Sequence, residues 1–172
     1  PSASSKSCSS TGRRDRRVIT RDDYVDLVER RYFGNVVQAD IPAVVACFTD
    51  DASVTIYHGD AAPRLFKAQP GAGETPLPRF FEHLLANYEP GFTEFVHYVD
   101  VASERCAAMF LVTLTPKPDS AYRDAGVQHL RNCNFFRCRD DLIHEMTIYY
   151  SNPGAAGGAD AHGSRPTGFP QA

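Results

Sequence analysis

Apolar residues first recur at helical spacing in Tyr24, Leu27, Val28 and Tyr32. Thr20, followed three positions on by Asp23, has the form of a capping box with Asp in place of Glu, so a helix is predicted to begin there. Gly34 is the expected break or bend. Asp40 is the predicted cap of a second helix that tolerates Pro42 in its first turn and carries the stripe Ile41, Val44, Val45 and Phe48. "TDDA" is read as a turn into a short strand, Ser53 to His58. Residues 59–75, rich in Gly, Pro and Ala, predict a long loop with a short strand at "RLFK". Thr75-Pro76 opens a third helix whose buried side is Phe80, Phe81, Leu84, Leu85 and Tyr88, and "EPG" ends it. Alternation then predicts strands over about 92–102, 105–115, 127–138 and 142–150, with "PKPDSAYRDAG" as an exposed connector. Helices segregated from a run of strands indicate an α+β fold. A curved antiparallel sheet wrapped over three helices would leave a hollow between the layers, a common place for a ligand.

Charge is uneven along the chain. Of the formal net charge of −3, residues 1–21 contribute six basic side chains against Asp15 alone, a balance of +5 that leaves −8 on the remainder. An acidic body argues against a nucleic-acid groove. No apolar run approaches the ~20 residues of a membrane span. The cysteines number five, an odd count without CxxC spacing, which points away from a disulfide framework or structural zinc and toward a reducing, cytoplasmic setting. Residues 1–19, rich in Ser and Arg, are expected to be a disordered basic arm; 20–151 form the domain; 152–172 are a flexible Gly/Ala/Pro tail.

The stretch "HLRNCNFFRC" holds the clearest candidate chemistry. Strand alternation puts Leu130, Asn132, Asn134, Phe136 and Cys138 on one face and Arg131 and Arg137 on the other. The arginines belong in water, so the asparagines face the apolar side, where an unpaired amide is costly. His97 shares a face with Phe95 and Val99, and as an imidazole it titrates near neutral pH. His58 ends the first strand on the face of Val54 and Ile56, at the open end of the expected hollow, where it could supply a second acid or base. Of Tyr149 and Tyr150, alternation admits only one to the interior. Cys138 lacks an activating base, and His129 has the wrong parity to join His58 and His97 in a metal site.

"RYFGNVVQADIPAVVACFTDDASVTIYHG", "PRFFEHLLANY" and "NCNFFRCRDDLIHEMTIYYS" together resemble the nuclear transport factor 2-like superfamily, over about residues 20–151. That superfamily, whose fold is a cone-shaped α+β barrel enclosing a pocket, includes ketosteroid isomerase, scytalone dehydratase and the SnoaL-like polyketide cyclases, so the resemblance implies a cone here. Against the isomerases, Tyr32 falls at the oxyanion tyrosine and Asn132 or Asn134 at its partner acid, while Ile56 stands at the catalytic aspartate. Against scytalone dehydratase, His97 takes the place of a histidine and Asn132 or Asn134 that of an asparagine, with Phe110 about where a second histidine lies.

The resemblance implies a cofactor-independent acid–base enzyme acting on a small apolar substrate, aromatic or polycyclic. A lyase ranks first, because the isomerase's carboxylate is missing. Isomerase, cyclase and a non-catalytic binding or interaction domain remain open. His97, Tyr32 and Asn134 are the expected catalytic residues, and Asn132, His58, Ile56, Phe136 and Tyr149 the expected substrate contacts. No cofactor, metal, nucleic acid or membrane partner is expected; a homo-oligomer, dimer or trimer, is.

Overall fold

The computed structural model describes residues 19–58 and 61–150, so the expected arm, Ile19 excepted, and the expected tail lie outside the described residues. The first helix starts as its sequence requires. Thr20 N–H donates to Asp23 Oδ2 at 2.8 Å, and Asp23 N–H donates back to Thr20 Oγ1 at 3.4 Å. α1 (Arg21–Val25) passes into a wider turn over Asp26–Phe33 and then into α2 (Gly34–Val37). Within that wide turn the Gly34 N–H reaches the Glu29 carbonyl, five residues back. Widening brings the neighbours Tyr32 and Phe33 both inward, at 2% and 4% exposure.

Gly34 is not the break. It keeps helical angles (φ −58°, ψ −45°), and the chain turns instead at Ala39, in the left-handed region at φ 56°. Asp40 then caps α3 (Ile41–Val45), its Oδ1 accepting from the Ala43 N–H at 3.0 Å. The third helix, α4 (Leu77–Asn87), buries Leu77, Phe80, Phe81, Leu84 and Leu85. Burying an apolar side chain of this size contributes about 1.5–3 kcal/mol, so this face anchors the helix against the sheet.

The strands are β1 (Phe48–His58), β2 (Arg64–Lys67), β3 (Thr75–Pro76), β4 (Tyr88–Asp100), β5 (Arg105–Pro116), β6 (Gln128–Arg139) and β7 (Leu142–Tyr150). They form one unclosed sheet in the order β3-β2-β1-β7-β6-β5-β4. Two expectations need correction. The sheet is mixed: β1 runs parallel to β7, and β2 parallel to β3. The first strand also begins earlier than read, at Phe48, because "TDDA" forms a bulge inside it rather than a turn before it. β4 likewise starts at Tyr88, directly after α4; it lies at the sheet edge, where Pro90 costs no ladder bond.

A second bulge lies in β4 between Thr93 and Val96, with Glu94 at φ 58° and its carboxylate paired with Arg131. The extra residue shifts the alternation, so Phe92 before it and Phe95 after it both pack toward the core. Among the described residues, no helix is long and apolar enough to cross a membrane.

Candidate active site

Helices and inner sheet face leave a narrow, nearly filled hollow with about 20 Å³ of free space, room for about one water. Its walls are largely aromatic. Phe33 packs against Phe92, Phe95 and Phe110 at centroid distances of 4.4, 5.4 and 4.6 Å. The polar lining consists of Tyr32, Asn132, Asn134 and Tyr150. Among the described residues, none that lines it bears a carboxylate or an imidazole.

Tyr32 comes from the widened turn and is held edge-on by Phe48, Phe81 and Phe136 at 5.7, 6.1 and 6.2 Å. Burial, and then the neighbouring Tyr150, raise its pKa well above the ordinary phenol range. Burial pushes Tyr150 up to about 12, against an opposing pull from Arg64. Both hydroxyls therefore stay protonated at neutral pH and serve as hydrogen-bond donors, not as bases.

Asn132 and Asn134 are 6% and 2% exposed, on the inward face as their alternation requires. Each has a buried Oδ1 with no hydrogen-bond partner among the described residues. Among the described residues the Asn134 amide nitrogen reaches only the Met146 sulfur, at 3.8 Å. An unsatisfied buried carbonyl costs about 1–3 kcal/mol, and here two of them stand beside one cavity. An amide can also turn over, so each position can accept from a hydroxyl or donate to a carbonyl.

Register explains the company these residues keep. Asn134 pairs with Ala108 on β5, and Ala108 pairs with His97 on β4. Asn132 pairs with Tyr150 on β7, and Tyr150 with His58 on β1. His58 and Tyr150 meet with ring centroids 5.7 Å apart. Burial and the nearby Arg64 charge depress the His58 pKa, which keeps the imidazole neutral.

Other sequence candidates lie elsewhere. The His97 side chain is buried but does not line the cavity. Its Nε2–H donates to Glu29 Oε1 at 2.7 Å, and its ring stacks on Phe95 at 5.8 Å. The His97 Nδ1 is buried without a hydrogen-bond partner among the described residues. Ile56 and Phe136 are core residues outside the cavity lining. Tyr149 is 46% exposed on the outer face, stacked on Tyr57 at 5.0 Å, so its neighbour Tyr150 is the tyrosine that turns inward. Glu29 and Phe33 were not singled out from sequence; only the widened turn brings Phe33 to the wall and Glu29 to His97.

No family model and no curated protein matches the sequence. Solved structures do. A proposed polyketide cyclase from Xanthomonas campestris pv. campestris superimposes with a TM-score of 0.59 at 20% identity, over 76% of this chain and 92% of that one. A protein of unknown function with a cystatin-like fold, from Methylobium petroleophilum PM1, gives 0.58 at 18% identity, over 83% and 84%. The BvnE pinacolase from Penicillium brevicompactum gives 0.58 at 13% identity, over 76% and 87%. At these identities the likeness is one of fold alone, an α+β fold shared with the cystatin-like, cyclase and pinacolase structures.

Proposed function

We propose that the chain is a cofactor-independent acid–base enzyme that holds a small substrate's developing oxyanion in this cavity. The observation that carries the proposal is the pair of buried, incompletely bonded amides beside two protonated phenols in an otherwise apolar hollow. Tyr32 and Asn134 are the assigned oxyanion partners, and Asn132 and Tyr150 orient the substrate. Neutral donors fixed in a water-poor site stabilise charge that appears only in the transition state. The free space of about 20 Å³ is far below the ~300–1,000 Å³ of ligand pockets, so the aromatic walls must part to admit even a single ring, which suits the hollow better than a polycycle.

Elimination ranks first among the reactions. A base takes the proton next to a carbonyl, the electron pair forms the new double bond, and the β-hydroxyl leaves with a proton as water. Isomerisation and cyclisation share the same enolate. The polyketide cyclase and the pinacolase among the structural neighbours favour small-molecule chemistry of this kind. A panel of single-ring and alicyclic β-hydroxy ketones, followed by mass for loss of one water, tests the proposal. Turnover by the native chain, reduced about 10²-fold or more in Tyr32→Phe and Asn134→Leu, supports it. Binding without turnover across the panel overturns the enzymatic reading.

The outer sheet face favours a second reading. Tyr98, Phe135, Val96, Met109 and Tyr149 are 60%, 50%, 49%, 48% and 46% exposed there. Large exposed apolar patches mark interaction surfaces. We assign this face to pairing two copies of the chain; an interaction domain without catalysis would use the same surface for another protein.

A further inference from the structure

We propose that the rim formed by His58, Tyr150 and Arg64 is the proton-transfer edge of the cavity, with His58 as the acceptor, and that the substrate presents an ionisable hydroxyl, phenol or enol, there. The inference rests on the oxyanion role given to the same cavity and adds the group that moves the proton.

Register carries the geometry. Asn132, Tyr150 and His58 occupy one row across β6, β7 and β1, all on the inner face. The row leads outward from the cavity lining: Asn132 and Tyr150 line the hollow, and the His58 ring, just outside the lining, lies against the Tyr150 ring at 5.7 Å. Arg64 enters from β2, paired with Ile56 and half-buried on the side of Phe66. A hydroxyl placed at Tyr150 therefore meets a phenol donor beside an imidazole, with the Arg64 charge acting on both.

The charges suit the task. Burial, and then the positive charge of Arg64, keep the His58 imidazole unprotonated, ready to accept. The same cation favours the substrate anion once the proton has left. Tyr150 cannot itself be the base, since its own proton is held too tightly. The step balances simply. The substrate O–H proton passes to a His58 nitrogen, directly or through the Tyr150 hydroxyl, which receives one proton as it gives one. The products are a substrate oxyanion and an imidazolium. His97 also lies outside the lining, and it cannot serve in this way without rearrangement because its Nε2 is committed to Glu29.

4-Nitrophenol is a suitable probe, because its absorbance reports its ionisation. It is titrated into the native chain in weakly buffered solution, with proton release followed in parallel. Transfer to His58 predicts that the bound probe ionises while no proton appears in solution. It also predicts that the His58 ring nitrogens in nitrogen-15 spectra change from neutral to protonated as the probe binds. His58→Gln should bind the probe but cut its ionised fraction at least fivefold; His129→Gln, on the outer face, should leave it unchanged. A probe that ionises with full proton release would assign the effect to Arg64 alone and overturn the role of His58. A probe that binds and stays neutral would overturn the whole rim assignment while leaving the cavity as a binding site. Failure of the native chain to bind any single-ring phenol would remove both the rim assignment and the oxyanion reading beneath it. The spectra of the native chain decide the matter even if His58→Gln does not fold.

Discussion

Replacing Asn134 with Leu should make the protein more stable and less functional. Asn134 is 2% exposed, its Oδ1 has no partner among the described residues, and its nitrogen has only a sulfur acceptor at 3.8 Å. Leu has a similar shape and no polar atom. The substitution relieves about 1–3 kcal/mol of unsatisfied carbonyl. It gives up a weak N–H···S contact, worth no more than the ~0.5–1.5 kcal/mol of an ordinary hydrogen bond. The net is a gain of about 1 kcal/mol, which for a domain of this size raises the melting temperature by about 4 °C. The same change removes the group that completes the bonding of a bound hydroxyl or carbonyl. Affinity for a single-ring phenol should fall about tenfold, equivalent to ~1.4 kcal/mol. Calorimetric melting and a phenol titration on the same sample measure both quantities. Opposed signs are the signature of a polar group kept for function at the cost of stability. A variant that loses more than about 1 kcal/mol, or that binds phenol as well as the native chain, would refute the reasoning and make Asn134 an ordinary structural residue.

Other outcomes follow from the same contacts. His97→Leu should cost about 1–3 kcal/mol, because it breaks the bond to Glu29, yet change phenol affinity less than threefold; a stable variant with turnover down about 10²-fold would return His97 to the chemistry. The depressed His58 pKa means the folded state resists protonation. Its contribution to stability is therefore complete above the unperturbed value of 6.5 and is lost as pH falls through the folded value. Native stability should drop below that of His58→Gln across this window in acid titrations of urea melts, and parallel curves would contradict the shift. Glu94→Gly relieves a left-handed backbone at φ 58° and loses only an exposed ion pair with Arg131, so denaturant melts should show a gain of about 0.5 kcal/mol; a loss above 1 kcal/mol would mean the pair outweighs the strain. Phe135→Ser with Tyr149→Ser should shift sedimentation from dimer toward monomer, and an unchanged profile would exclude the outer face as the pairing surface.

Local signals were legible where local chemistry decides. Thr20 and Asp40 cap the helices they announce, and the alternation around Asn132 and Asn134 placed both inward. What depends on distant pairing was not legible. That β7 lies parallel beside β1 has no signature in either strand, since the register joins residues far apart in the chain. The bulges at Phe48/Ser53 and Thr93/Val96 hide because an extra residue reads as ordinary alternation until the partner strand is known. The widened turn over Asp26–Phe33 hides for a similar reason. Apolar residues at positions 24, 27, 28 and 32 fit an ordinary helix, and the inward swing of Phe33 needs the wider one. For that reason His97 was read as facing the cavity, when the Glu29 side chain meets it first. Tyr150 and Tyr149 were a choice alternation could pose but not decide; the pairing of Tyr150 with Asn132 decides it.

The central claim is that Asn132 and Asn134 are completed by a small ligand. Side-chain amide resonances recorded while 4-fluorophenol is titrated into nitrogen-15-labelled protein test it most directly. Both amides should shift in a saturable manner, in step with the ring signals of Tyr32 and Tyr150, and the Asn134→Leu variant should weaken the Asn132 response. Resonances that stay fixed while the probe binds elsewhere, such as at Tyr57, Phe135 and Tyr149 on the outer face, would contradict the claim.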